Sequence, residues 1–312
     1  RCRRHRITLH DFSVLLYYWC FCTALTEQQQ RFTELNTMAV DYSQLPLGKQ
    51  TAYSSHYDPS LLVAVPRQAA RDFWPIEKAL PFIGEDYWTG YEVSWLDNNG
   101  KPQAGCILLD YSAQTPNLVE SKSLKLYLNS FNQTKLADHT ALIQNITSDV
   151  SGITNGSVNV SFCNAQGDSR LQIQPWADHC IDDSNVAIAE YNITTALLSC
   201  HPSAIIEKTL VSHLLRSNCP VTGQPDWASV RIVYRGTAID EDNLLRYLCS
   251  YRLHQGFHEQ CIERIFCDIW TQCQPEQLSV EGRFTRRGGL DINPFRTSHG
   301  TLKPTRARQW RQ

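Results

Sequence analysis

Residues 228–285 read ASVRIVYRGTAIDEDNLLRYLCSYRLHQGFHEQCIERIFCDIWTQCQPEQLSVEGRFT. Within them the apolar period changes from that of a strand to that of a helix and back. Val230, Ile232 and Tyr234 alternate through 228–235, as on a strand with one buried face. Asp240 stands where a helix N-cap belongs, ahead of Leu244, Leu245, Leu248 and Tyr251 in a helix over 241–254. A second helix runs from about 258 to 272, with Ile262, Ile265, Phe266 and Ile269 on its buried stripe. Leu278, Val280, Gly282 and Phe284 then alternate again through 277–285.

Working outward, the first half has the same order. Residues 88–96 and 104–110 flank Asp97-Asn98-Asn99-Gly100, a hairpin signal because Asn and Gly tolerate positive φ. A helix at 121–131 carries Leu124, Leu126, Tyr127, Leu128 and Phe131. A second helix is predicted at 135–149, followed by strands at 157–163 and 169–174. Residues 38–85, rich in Pro, Tyr and Ser, read as an irregular arm with short elements, and 205–218 stays open between helix and strand. Strands, two helices and strands, twice over, indicate an α+β fold of tandem antiparallel units, not alternating βαβ units. The expected divisions are 1–37, 38–200 and 201–312, with no linker between the last two and one packed body.

The chain has 312 residues, 42% apolar and 19% charged, enough for a sizeable core. A net charge of −2 gives no basic surplus for a nucleic-acid backbone. Twelve cysteines admit two readings, a secreted disulfide protein or free thiols in a cytosolic one. A chain of this size needs no disulfides to fold, which favours free thiols. Residues 1–6 are basic and 13–25 apolar, the outline of a signal peptide. Sequons at Asn132, Asn145, Asn155, Asn159 and Asn192 point the same way, but three-residue patterns arise often by chance. The only methionine is Met38, and ordinary soluble sequence follows it. Residues 1–37 are therefore expected to be an upstream extension and 38–312 the working protein. The apolar run is too short to cross a bilayer as a helix.

Four segments hold residues suited to chemistry. In SNCPVTGQPDW (217–227) two prolines and a glycine favour an ordered turn that brings the Cys219 thiol near the Asp226 carboxyl. A nucleophilic cysteine needs a fixed position and a proton partner; a buried Cys beside a turn Asp is the bland alternative. His258-Glu259 opens a helix, where His can move protons and Glu can accept paired hydrogen bonds from a flat heterocycle. It is not a zinc-protease motif, since Ile262 stands at the fourth following position. Glu120, Ser121, Lys122 and Lys125 gather at another helix start, where free N–H groups and ammonium groups suit phosphate. Arg286-Arg287-Gly288-Gly289 could clamp phosphate, with glycine letting the backbone approach. Singly, each has an ordinary structural explanation: a helix cap, solvated lysines, a basic turn. No glycine-rich Rossmann or P-loop motif occurs.

Together and in this order the segments resemble the long form of the 7-cyano-7-deazaguanine reductases. The similarity covers about 46–312 and is strongest at 88–134 and 208–296. ESKSLKLYLNSFNQT (120–134) resembles the family's signature segment, and SNCPVTGQPDW its nucleophile loop. FHEQCIERIF (257–266) and TRRGGLDINPF (285–295) resemble its substrate and cofactor segments. The resemblance implies the tunnelling fold, built of paired antiparallel T-fold units, and makes 205–218 strand. It implies NADPH-dependent four-electron reduction of a nitrile to an amine through a cysteine thioimide, on the way to queuosine in tRNA. Cys219 would be the nucleophile, Asp226 the proton donor and His258 an aid to proton movement. Val119, Glu120, Ser121, His258 and Glu259 would hold 7-cyano-7-deazaguanine; Ser121, Lys122, Arg287 and Gly288 would hold NADPH. It further implies a cytoplasmic homodimer without resident metal, membrane span or direct nucleic-acid partner. Residues 135–205 carry no matching segment. Two rivals remain: a pterin cyclohydrolase-like enzyme of the same fold, and a secreted disulfide-linked binding glycoprotein.

Overall fold

The computed structural model describes residues 53–74, 79–302, 304 and 307–312; the extension expected at 1–37 lies outside them. Its backbone is an antiparallel sheet with helices packed on it, the expected α+β class. The strands are β1 (Ala64–Pro66), β2 (Ile83–Leu96), β3 (Pro102–Ser112), β4 (Asn117–Val119), β5 (Val158–Asn164), β6 (His179–Cys180), β7 (Ile206–Ser212), β8 (Arg216–Asn218), β9 (Pro225–Gly236), β10 (Gln277–Phe284) and β11 (Leu290–Thr297). The helices are α1 (Gln68–Arg71), α2 (Ser121–Ser130), α3 (His139–Thr154), α4 (Glu241–Cys249) and α5 (His258–Cys273). The main sheet runs β5-β3-β2-β11-β10-β9-β7-β6, with β8 paired to β9, and β1 pairs with β4 separately. Only β6–β7 is parallel in the main sheet. The two halves therefore join edge to edge at β2–β11, from Leu290 opposite Gly90 to Thr297 opposite Ile83. Among the described residues no helix is long and apolar enough to cross a membrane.

Two cores lie under the helices. Trp88, Leu109, Leu124, Tyr127, Leu142 and Ile146 anchor the first. Val230, Ile232, Leu244, Leu248, Ile262, Ile265, Phe266 and Val280 anchor the second, joined by Ile181, Ile193 and Leu198 from the unmatched middle. In each helix pair an aspartate of the second helix accepts from tyrosine: Asp149 from Tyr57 and Tyr127, and Asp268 from Tyr247.

Some expected boundaries move. The helix predicted at 135–149 is α3, because Asp138 caps it by accepting the Thr140 and Ala141 N–H groups, and Asn155 ends it with φ 54°. Residues 169–174 are not a strand: Asp168 caps a 3-10 turn at Ser169–Leu171, and only Ile173 bridges, to Arg308. The helix predicted over 241–254 ends at Cys249 and tightens to a 3-10 turn. Residues 205–218 form β7 and β8. The 97–100 hairpin exists, but of its residues only Gly100 has positive φ, and Asp97 closes it by accepting the Asn99 and Lys101 N–H groups.

A charge cluster beneath α5 binds the halves. Arg67, Arg71 and Arg296 surround Asp86 and Glu263, at 2.8 Å from Arg71 to Glu263, 2.7 Å from Arg296 to Glu263 and 2.8 Å from Arg296 to Asp86. Arg67, Asp86, Glu263 and Arg296 are almost wholly buried. Removing one cation from such a cluster leaves buried carboxylates uncompensated, so Arg296→Met should destabilise the fold by about 3–5 kcal/mol in urea denaturation. A loss below about 1 kcal/mol would show that the cluster is not structural.

Candidate active site

The nucleophile loop is built from its strands. In the β8–β9 hairpin Ser217 lies opposite Asp226. Cys219 N–H donates to the Gln224 carbonyl at 2.9 Å, and Gly223 N–H to the Cys219 carbonyl at 3.0 Å. Gly223, at φ 67°, makes the turn possible. Asn218 fastens the loop to the chain ahead of α5: its side chain donates to the Arg252 and His254 carbonyls, and its own carbonyl accepts Gly256 N–H. This fixes Cys219 relative to the α5 N-terminus, where His258 and Glu259 stand.

Cys219 is buried, and the Thr222 N–H points at its sulfur from 3.4 Å. The Arg287 guanidinium faces the same sulfur. It also donates to Asp226 Oδ1 at 2.6 Å and to Gln224 Oε1 at 2.6 Å. His258 Nε2 lies 3.4 Å from the same Asp226 oxygen, and its ring stacks on Phe284 at 3.9 Å. Burial acts to raise the Asp226 pKa, but His258 and Arg287 outweigh it and hold the carboxyl below its ordinary range. Asp226 is therefore ionised before anything binds. Burial pushes the neighbouring Cys261 thiol up to about 12, which leaves it inert near neutral pH.

Glu259 is the exceptional group. Its carboxyl is buried, and neither oxygen has a hydrogen-bond partner. Burial, with Asp86 nearby, pushes its pKa up to about 8 against the pull of Arg67 and Arg296. A buried carboxyl with both oxygens unpartnered is set to receive donors from a ligand. Tyr111 lies beside Glu259 and accepts the Val119 N–H at 3.3 Å, which brings the start of α2 alongside. Phe257 packs with Val65, Leu118 and Val221.

Glu120 has a structural role of its own. Its side chain caps α2, accepting the Lys122 and Ser123 N–H groups at 2.9 and 2.7 Å. Burial raises its pKa. The Arg287-Gly288-Gly289 turn, with positive φ at both glycines, reaches the same helix: Lys125 Nζ donates to the Gly288 carbonyl at 2.6 Å. At φ 60° a side chain on Gly288 would be strained, and its Cβ would come within 2.9 Å of Lys125 Cδ, so the lysine would have to shift. Ammonium and guanidinium groups meeting at a glycine turn suit the phosphates of a dinucleotide. Thus Val119, Glu120, Ser121 and Lys122 are tied by Tyr111 and Lys125 to the Cys219, Asp226, His258, Glu259, Arg287 and Gly288 side of the site.

The sequence reading did not assign Gln224, Tyr111, Phe284 or the ion cluster behind Glu259 to the site. The inward charges Asp86 and Arg296 break their strands' apolar alternation, which was the one available signal. The nine described cysteines are all free.

Residues 53–162 match the family described as nitrile reductase, 7-cyano-7-deazaguanine-reductase N-term, and 225–303 match the QueF-like protein family. Curated relatives named NADPH-dependent 7-cyano-7-deazaguanine reductase align over nearly all their length. That of Bordetella avium is 48% identical over 270 residues, covering 86% of this chain and 99% of the relative. That of Burkholderia ambifaria is 49% identical over 268 residues, covering 86% and 98%. That of Chromobacterium violaceum is 46% identical over 279 residues, covering 89% and 100%.

Because the Glu259 pKa is raised on folding, its protonated form favours the fold below the ordinary carboxylate range. That contribution is lost as pH climbs through about 8. Glu259→Gln cannot ionise. Relative to the parent, its stability should therefore rise across that window, by up to ~1.4 kcal/mol per pH unit, and level off above it. Urea melts across the window test this; a constant difference would contradict it.

Proposed function

Because the chain belongs to the 7-cyano-7-deazaguanine reductase family, we propose that it reduces the nitrile of 7-cyano-7-deazaguanine to an aminomethyl group at the expense of two NADPH. One observation carries the assignment of roles. A single hairpin holds Cys219 and Asp226 against His258 and Arg287, beside a buried Glu259 whose two oxygens have no partner.

A guanine-like ring presents adjacent ring N–H and amino donors, and a carboxylate accepts two such donors in parallel. Glu259 receives that edge, which favours its ionised form and relieves the cost of its burial. Glu120 fixes the α2 N-terminus through two amides and keeps lone pairs for a further donor, with Val119 and Ser121 beside it.

The ionised Asp226 takes the Cys219 thiol proton. The sulfur then attacks the nitrile carbon: a C–S bond forms, one C–N π bond breaks, and Asp226 returns the proton to nitrogen. The product is a neutral thioimide on Cys219. Asp226 thus serves first as base and then as acid, with His258 as the adjoining proton relay. NADPH, when bound, would supply hydride, and Ser121, Lys122, Arg287 and Gly288 would hold its phosphates. After the first reduction Cys219 leaves as thiolate, and the resulting imine is reduced in turn. The balance is one nitrile, two NADPH and two protons to one amine.

The working environment belongs to the same proposal. Nine free thiols suit a reducing cytoplasm. The main sheet ends on β5 and β6, edges that pairing as a homodimer would cover.

Two NADPH should disappear per aminomethyl product, measured by absorbance and product mass; a ratio of one would contradict four-electron chemistry. Asp226→Asn should bind the nitrile but turn over about 10²–10⁴-fold more slowly. Undiminished turnover would remove Asp226 from the proton path.

A further inference from the structure

We propose that Arg287 serves the covalent step itself, before any cofactor is needed, as a positioning residue that holds the Asp226 carboxylate and the nucleophile loop in one arrangement. This rests on the nitrile-reductase reading above. A residue that only contacted a dinucleotide would have its guanidinium turned toward the cofactor space. Here Nη1 donates to Asp226 Oδ1 and Nη2 to Gln224 Oε1, both at 2.6 Å. Gln224 is the residue whose carbonyl accepts the Cys219 N–H at 2.9 Å. Arg287 therefore grips the loop at the bond that closes it and at the carboxylate that follows it, while facing the Cys219 sulfur.

Its own placement is set from the other half of the chain. Arg287 N–H donates to the Leu290 carbonyl at 2.8 Å, the Gly288 carbonyl takes Lys125 Nζ at 2.6 Å, and the Gly289 carbonyl takes Tyr91 N–H at 2.9 Å. The α2 signature segment and β2 thereby fix where the guanidinium sits. Asp226 is only 3% exposed and the Arg287 side chain 29%, so the pair is shielded from much of the solvent's screening.

The covalent step requires the thiol proton to pass to Asp226 and then to the nitrile nitrogen as the C–S bond forms. Arg287 keeps its own proton throughout. Without it, Asp226 retains His258 at 3.4 Å as its ion partner, and the loop loses its side-chain tie at Gln224. The thiol, the carboxylate and the nitrile then no longer meet in one geometry, a loss that appears in rate more than in binding.

The test uses cofactor-free protein mixed with 7-cyano-7-deazaguanine, with adduct formation followed by intact mass and substrate affinity by calorimetry. Arg287→Gln should form the adduct at least ~10-fold more slowly, with affinity for the nitrile compound within about threefold of the parent. Arg287→Lys, which keeps the charge but not the two-pronged geometry, should recover part of the rate. Adduct formation at the parental rate in Arg287→Gln, with only the KM for NADPH raised, would overturn the proposal and leave a cofactor contact. Equal slowing in both variants with lost affinity would also overturn it, marking general damage to the site. Absence of an adduct on the parent protein would instead sink the nitrile reading itself.

Discussion

Arg67, Arg71 and Arg296 converge on Asp86 and Glu263 with almost no water to share the charge. They come from the arm, α1 and β11; the acids come from β2 and α5. Three cations face two anions, so the cluster carries a surplus positive charge directly behind Glu259. That surplus moderates the burial and the Asp86 repulsion that push the Glu259 pKa up to about 8. The cluster thus fixes the height of α5 on the sheet and tunes the group that α5 presents. A well-packed apolar core could match it in stability; it would not supply the positive charge that the ionised Glu259 of the proposed complex would need.

The proposed site draws on both halves of one chain. β4 and the start of α2 contribute Val119 to Lys122, and the second half contributes the Cys219 loop, His258-Glu259 and the Arg287 turn. Three links hold these sides in register: the β2–β11 ladder, Tyr111 between Val119 and Glu259, and Lys125 on the Gly288 carbonyl. α3 opens with His139-Thr140 and α5 with His258-Glu259, and the turn at Asp97–Gly100 carries no cysteine. Each half therefore keeps one part of the machinery, and the fold joins them.

The strands and helices of the second half were legible because their apolar periods are uninterrupted: β9, α5 and β10 lie within a residue or a few of expectation. Boundaries set by a single polar side chain were not. Asp138 and Asp168 decide where α3 starts and why 169–174 is no strand, through hydrogen bonds that periodicity does not register. The site residues were legible as short segments and through resemblance. Their geometry was not, because it depends on contacts far apart in sequence. Nothing local marks Arg67 as the partner of Asp86 or Arg287 as the partner of Asp226. The ionised state of Asp226 likewise depends on His258 and Arg287, which are distant from it in sequence.

The account turns on which sulfur meets the nitrile. Twelve cysteines compete in the chain, and burial suppresses ionisation at several, including Cys163, pushed up to about 11, and Cys261, to about 12. The most direct measurement is peptide mapping by mass spectrometry after exposing the cofactor-free protein to 7-cyano-7-deazaguanine. The account predicts one adduct per chain, equal in mass to the whole substrate and confined to the peptide containing Cys219. An adduct on another cysteine, or reduction to the amine with Cys219 never modified, would contradict it.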